Sequence, residues 1–258
     1  MSHDKRFAVL IDADNVAPKF IGSILDELSN EGTITYKRIY GDWTRPDLGA
    51  WKKVLLDYSI TPIQQYSYTS GKNSTDSAMI IDAMDILYAG KVEGFCIVSS
   101  DSDFTRLAAR LRESGEYVIG MGEQKTPKPF IAACDKFKYM EVLTLNSTVG
   151  SEKRRSGSQQ VQEHEPDLPT AVEAPQTSMK VIRKAIIAII DEISDDEGWA
   201  PLSHIGNILL KRYPDFDVRN YGFLKLTKLM KSCNCFEINA TRNKDGNKFV
   251  YVRNIESK

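Results

Sequence analysis

Residues 94–115 read "GFCIVSSDSDFTRLAARLRESG". An apolar run at 95–98 gives way to three serines interleaved with two carboxylates, then to a helical pattern that stops at Gly115. A short, continuous apolar run bounded by turn residues fits a strand buried on both faces. A strand passing directly into a helix is half of a βαβ unit. Asp101 and Asp103 fall where the strand yields to the helix. Taken alone, they read as helix caps, because a carboxylate there accepts from free backbone N–H groups.

The alternation continues on both sides of this stretch. "FAVLI" (7–11) is a second apolar run, and "FIGSILDELSNEG" (20–32) carries a helical stripe that is expected to end at Gly32. "ITYKRIYG" (34–41) reads as a strand, "DLGAWKKVLLDYS" (47–59) as a helix and "ITPIQQYSY" (60–68) as extended chain. "TDSAMIIDAMDILYAG" (75–90) is a helix stopped by Gly90, and "YVIGMG" (117–122) is another buried strand. Strands alternating with helices predict an α/β fold, a parallel sheet flanked by helices. In such sheets, sites form at the carboxyl ends of the strands.

The chain has 258 residues, 41% of them hydrophobic and 27% charged, as expected of a soluble globular protein. It contains no apolar run near the ~20 residues that span a bilayer, and no signal-peptide core opens it. The expected compartment is the cytoplasm, without a membrane partner. Cys96 and Cys134 lie in apolar runs, and Cys233 and Cys235 are too close to bridge each other readily. His3, His164 and His204 show no ligand spacing with them, which argues against zinc.

Charge divides the chain. Residues 1–150 carry 17 basic and 20 acidic side chains, whereas residues 176–258 carry 14 and 10. The stretch between them is rich in Ser, Gln, Glu and Pro, without a period, and reads as a flexible linker. Beyond it, "VIRKAIIAIIDEI" (181–193), "PLSHIGNILLKRYPDF" (201–216) and "RNYGFLKLTKLMKSC" (219–233) predict three helices. "CFEINATRNKDGNKFVYVR" (235–253) predicts a hairpin, completing a winged helix-turn-helix pattern. The expected domains are 1–146, a linker at 147–177, and a small winged-helix domain at 178–258.

Four aspartates gain meaning from this order. Asp12 ends the first strand, Asp101 and Asp103 end the strand at 94–98, and Asp76 opens the helix at 75–90. If the first and fourth strands are neighbours, these carboxylates meet at one sheet edge. Their repulsion is relieved by a hard divalent cation such as Mg²⁺, which favours carboxylate and water oxygens. Asp12 is the hardest to explain otherwise, because a charge completing a buried strand needs a partner. Asn15 also fits a simple turn before Pro18. Asp82 and Asp85 project away from the Asp76 face; Asp85 reads as solvated and Asp82 as a supporting residue.

"VLIDADN", "GKNSTDSAMIIDAMDILYAG", "GFCIVSSDSDFTRLAARLRESG" and "VIGMG" together resemble the NYN domain of the LabA-like branch, related to PIN nucleases. The resemblance covers about 6–143. "LSHIGNILLKRYPDFDVRNYGFLKLTKLM" and "FVYVR" resemble the OST-HTH (LOTUS) domain over about 178–254. The first resemblance implies a PIN-like sheet and a Mg²⁺- or Mn²⁺-dependent ribonuclease. It assigns metal ligation to Asp12, Asp76, Asp101 and Asp103, with Asn15 positioning water or phosphate. The second implies RNA binding and, in some relatives, a protein partner. Pairing among PIN-like domains adds the expectation of a homodimer.

Candidate nucleic-acid contacts follow. Lys37, Arg38, Arg45, Lys72, Arg106, Lys125 and Lys128 are expected near the acidic edge, and Lys72 and Asn73 just precede Asp76. Trp43 is a candidate base-stacking platform, although loop aromatics of this kind are more often packing anchors. In the second domain, Lys225 and Lys228 are expected one turn apart on the third helix, with Lys244 in the wing. The bland reading of each cation is a solvated charge. Two other functions compete: a non-catalytic RNA-binding adaptor, and a haloacid-dehalogenase-type phosphatase, which "DADNV" also fits. The phosphatase lacks a persuasive downstream lysine.

Overall fold

In a computed structural model of the chain, residues 4–66, 74–144, 177–242 and 248–255 are described. The chain divides into two compact units, Met1–Asp167 and Leu168–Lys258.

In the first unit, strand β1 (Arg6–Asp12) is flanked on both sides, which is why Phe7 through Asp12 are all buried. It pairs in parallel with β2 (Thr33–Gly41) and with β4 (Gly94–Val98). With β3 (Thr61–Gln64), β5 (Tyr117–Gly122) and β6 (Lys136–Tyr139), these form a six-stranded parallel sheet of order β3-β2-β1-β4-β5-β6. The fold class is therefore the expected one. Chain direction across the sheet reverses between β1 and β4, the switch point where such sheets open a crevice at their carboxyl ends.

Five helices connect the strands: α1 (Ile21–Ser29), α2 (Trp51–Asp57), α3 (Ser74–Ala89), α4 (Thr105–Glu113) and α5 (Lys128–Ala133). Phe7, Val9 and Ile11 pack beneath Ile21, Ile24, Leu28 and Trp51 on one face. Ala8 and Leu10 alternate to the other face, and α3 lies against β1 and β2. Asp82 of α3 is held there by Arg38 and by the Tyr40 hydroxyl, both on β2.

The first helix ends at Ser29, not at Gly32. Gly32 instead closes the turn just before β2, where an added Cβ would lie 2.1 Å from the Lys5 carbonyl oxygen. The glycine serves a close backbone approach rather than a helix stop.

The second unit has α6 (Met179–Ile193), α7 (Leu202–Arg212) and α8 (Leu226–Ser232). A short strand β7 (Ala200–Pro201) joins β8 (Phe236–Arg242) and β9 (Lys248–Asn254) in a sheet of order β7-β9-β8. Ile182, Ile186, Ile189, Leu209, Leu229 and Val252 share its core. The third helix is shorter than the 219–233 expected. A 3-10 turn spans Val218–Tyr221, and Gly222 leaves it at φ 78°. Lys225 is extended, at φ −142°, so it precedes α8 and does not share a helical face with Lys228.

Candidate metal centre

The topology brings the acidic residues to one edge. Asp12 is the last residue of β1, and β4 beside it ends at Val98, sending Ser99–Asp103 over the same rim. The helix α3 starts at this rim, with Asp76 in its first turn. One carboxylate oxygen each from Asp76, Asp101 and Asp103 lies within 4.8 Å of the others. Asp76 and Asp101 are half-buried, and Asp103 is exposed.

Asp12 stands beside this trio under different constraints. It is fully buried, yet three neutral donors reach it. Asn15 Nδ2 and Ser99 Oγ each donate to Oδ2 at 2.7 Å, and Asp14 N donates to Oδ1 at 3.0 Å. Hydrogen bonds of this kind offset the desolvation of a carboxylate. Burial nevertheless raises the Asp12 pKa, while Ser99 and Asn15 act to lower it. Burial and the charges of Asp12, Asp101 and Asp103 push the Asp76 pKa up to about 6.

Asp101 also caps a short 3-10 turn, Ser102–Phe104, its Oδ1 accepting from Asp103 N at 2.9 Å. The cap and the cluster geometry coexist in one side chain. Asn15 is bound to Asp12 through its amide, so its turn position and its place at the acidic edge also coexist. Ser99 joins the site only through the fold, by its bond to Asp12. Its signal was weak: a hydroxyl directly after a buried strand is ordinary turn chemistry.

The expected cations fare differently. Arg45 Nη1 meets Asp14 Oδ1 at 2.7 Å, and its other edge grips Asp47. Arg106 is exposed on the first turn of α4, and no described residue pairs with it. Arg38 is spent on Asp82, and Lys37 on the Tyr58 carbonyl at 2.8 Å, so both serve structure. Lys125 pairs with Glu123 at 2.6 Å, and Lys128 is exposed at the start of α5. Trp43 donates its indole N–H to the Ile63 carbonyl and packs against the core, which makes it an anchor rather than a free stacking platform. Lys72, Asn73 and Lys244 lie outside the described residues. Lys225 and Lys228 are both exposed, on the separate C-terminal unit.

Fold and site define a parallel α/β domain with a carboxylate cluster at its switch point, followed by a small domain of three helices and a hairpin. The chain belongs to the NYN domain family, whose model matches residues 6–141. Residues 177–247 match the OST-HTH/LOTUS domain. Both modules are RNA-related, the first of PIN-like nuclease type, and such nucleases generally use divalent metals. No curated protein matches the chain. Among solved structures, a Vibrio parahaemolyticus protein of unknown function is similar at 19% identity and a TM-score of 0.45, covering 53% of this chain and 93% of its own. An uncharacterized Nitrosomonas europaea protein is 35% identical with a TM-score of 0.28, covering 40% of this chain and 95% of its own. Among the described residues, no helix is long and apolar enough to cross a membrane.

Proposed function

We propose that the chain is a divalent-metal-dependent endoribonuclease. Residues 1–146 would be the hydrolytic module, 147–177 a linker and 178–258 an RNA-binding module. The meeting of Asp76, Asp101 and Asp103 within 4.8 Å supports this most. Three carboxylates so close repel one another, and that repulsion adds to burial in raising the Asp76 pKa. An all-oxygen, multiply anionic donor set suits a hard cation such as Mg²⁺ or Mn²⁺.

Asp76, Asp101 and Asp103 would hold the ion, with Asp12 the fourth candidate ligand. The ion, when bound, supplies charge neutralisation at a phosphodiester and lowers the pKa of water. The chain's own residues set the geometry. Asn15 and Ser99 orient the Asp12 carboxylate. The Asp101 cap fixes the acidic turn. Exposed Arg106 would bring positive charge toward the RNA backbone. Expected products carry 5′-phosphate and 3′-hydroxyl ends.

Incubating the purified chain with RNA and Mn²⁺ tests the reading. Cleavage should occur, stop with a chelator, and be lost in Asp76→Asn and Asp12→Asn. Intact RNA with the wild type, or undiminished cleavage by Asp12→Asn, would overturn it. Tight RNA binding in chelator without cleavage would instead mark a non-catalytic adaptor.

A further inference from the structure

On the nuclease reading above, we propose that Arg45 is a phosphate-anchoring residue for single-stranded RNA, latched by Asp14 when no substrate is bound. The acidic rim poses a problem for any polyanionic substrate. Asp12, Asp76, Asp101 and Asp103 crowd one edge, and Asp14 adds a charge that Asp76 feels. A phosphodiester approaching this rim meets repulsion unless a cation stands there. Arg45 is tied directly to it through Asp14, whose backbone N–H is hydrogen-bonded to Asp12 Oδ1.

The base of Arg45 is fixed. Its backbone N–H donates to the Asp42 carbonyl at 3.0 Å, and the Asp42 carboxylate accepts from Thr44 N and Oγ1 within the same turn. The two acidic partners then divide the guanidinium unequally. Asp47 takes the Nε and Nη2 edge through both of its oxygens, a two-point grip that orients the plane. Asp14 takes Nη1 alone, at 2.7 Å.

The one-point grip marks the second contact as the one to exchange. Both pairs are solvated and weak, with the Arg45, Asp14 and Asp47 side chains 44%, 29% and 59% exposed, so the single bond to Asp14 yields before the two-point grip of Asp47. A phosphate oxygen arriving at the rim can replace Asp14 on Nη1 while Asp47 still holds the opposite edge. Asp47 is thus the support and Asp14 the displaceable latch. A guanidinium suits this better than an ammonium, because its fixed fork serves two anions at once.

The experiment uses the full chain, Mn²⁺ and a labelled single-stranded RNA, with KM and kcat measured over a salt series. Arg45→Ala should raise KM about tenfold and cut the slope of log KM against log salt by about 0.7, one single-strand phosphate contact. Arg45→Lys should recover part of both. Asp14→Asn should lower KM roughly threefold in the wild-type background and not in Arg45→Ala. Unchanged KM and salt slope in Arg45→Ala overturn the proposal. So does an equal gain from Asp14→Asn in both backgrounds, since Asp14 would then only repel RNA. Absence of cleavage by the wild type overturns the nuclease reading and this proposal with it. Cleavage with either of the other two results overturns this proposal alone.

Discussion

Ser99 Oγ donates a 2.7 Å hydrogen bond to Asp12 Oδ2 across the β1–β4 pair. Ser99 Oγ in turn accepts from Asp101 N at 3.1 Å. One fully buried hydroxyl therefore joins the carboxylate that ends β1 to the first residue of the acidic turn after β4. Among the described residues, Asp12 is kept in place by neutral donors, with no arginine or lysine among them. A cationic partner would neutralise the edge. Neutral donors satisfy the carboxylate and leave its negative charge in place.

Ser99→Ala should therefore weaken both the fold and the site. Asp12 Oδ2 would keep only the Asn15 bond, and the Asp12 pKa would rise further because a bond to its charged form is gone. The expected destabilisation is about 1–3 kcal/mol in urea unfolding. Mn²⁺ titration calorimetry should show several-fold weaker binding. Unchanged stability and unchanged Mn²⁺ affinity together would remove Ser99 from this role.

The Asp76 shift makes metal-free stability depend on pH. Its folded pKa, about 6, lies above the ordinary 3.8. The folded state holds this proton more tightly than the unfolded chain does. The stabilising contribution is therefore full below pH 3.8 and lost as pH rises through 6. In chelator, wild type and Asp76→Asn should melt together near pH 4, and the variant should melt higher near pH 7.5. Mn²⁺ should close that gap by stabilising the wild type more. Equal melting temperatures at both pH values in chelator would show that neither burial nor its acidic neighbours penalise the charged Asp76.

The sheet and its acidic edge were legible because their signals are local. Buried parallel strands write themselves as short apolar runs, and strand-end aspartates stand out against them. What was not legible depends on partners far along the chain. Strand β6 alternates Lys136 and Lys138 with aromatics and reads as a polar segment. In the fold those lysines pair with Glu31, in the turn after α1, and with Glu27 on α1 itself. Trp43 could not be placed until Ile63 was beside it. The third helix of the second unit lost its first half because Gly222 breaks the backbone there, a stop hidden inside an otherwise helical pattern. Ser99 was in view, but its importance comes from Asp12, 87 residues earlier.

The Lys138–Glu27 pair should matter to stability more than its surface counterparts do. Lys138 is 8% exposed and lies 2.7 Å from Glu27. Glu27→Gln would strip the negative charge from a nearly buried ammonium, at a cost of roughly 3 kcal/mol. Glu123→Gln would break the exposed Lys125 pair and cost less than about 1 kcal/mol. Urea midpoints for the two variants should separate clearly. Equal midpoints would mean that solvent reaches Lys138 more freely than its burial indicates.

Asp101 offers the cleanest separation of cap from ligand. Its Oδ1 accepts from Asp103 N, and an asparagine oxygen can accept the same bond. Asn and Asp cap about equally well, whereas Ala loses about 1 kcal/mol. Asp101→Asn should therefore unfold near the wild-type urea midpoint, and Asp101→Ala below it. The charge is absent from both variants, so both should lose most Mn²⁺ affinity. A cap alone would give the same order of stabilities but leave Mn²⁺ binding intact in Asp101→Asn. That single measurement, Mn²⁺ affinity in a variant that keeps its cap, decides whether the acidic turn holds a cation or only starts a helix.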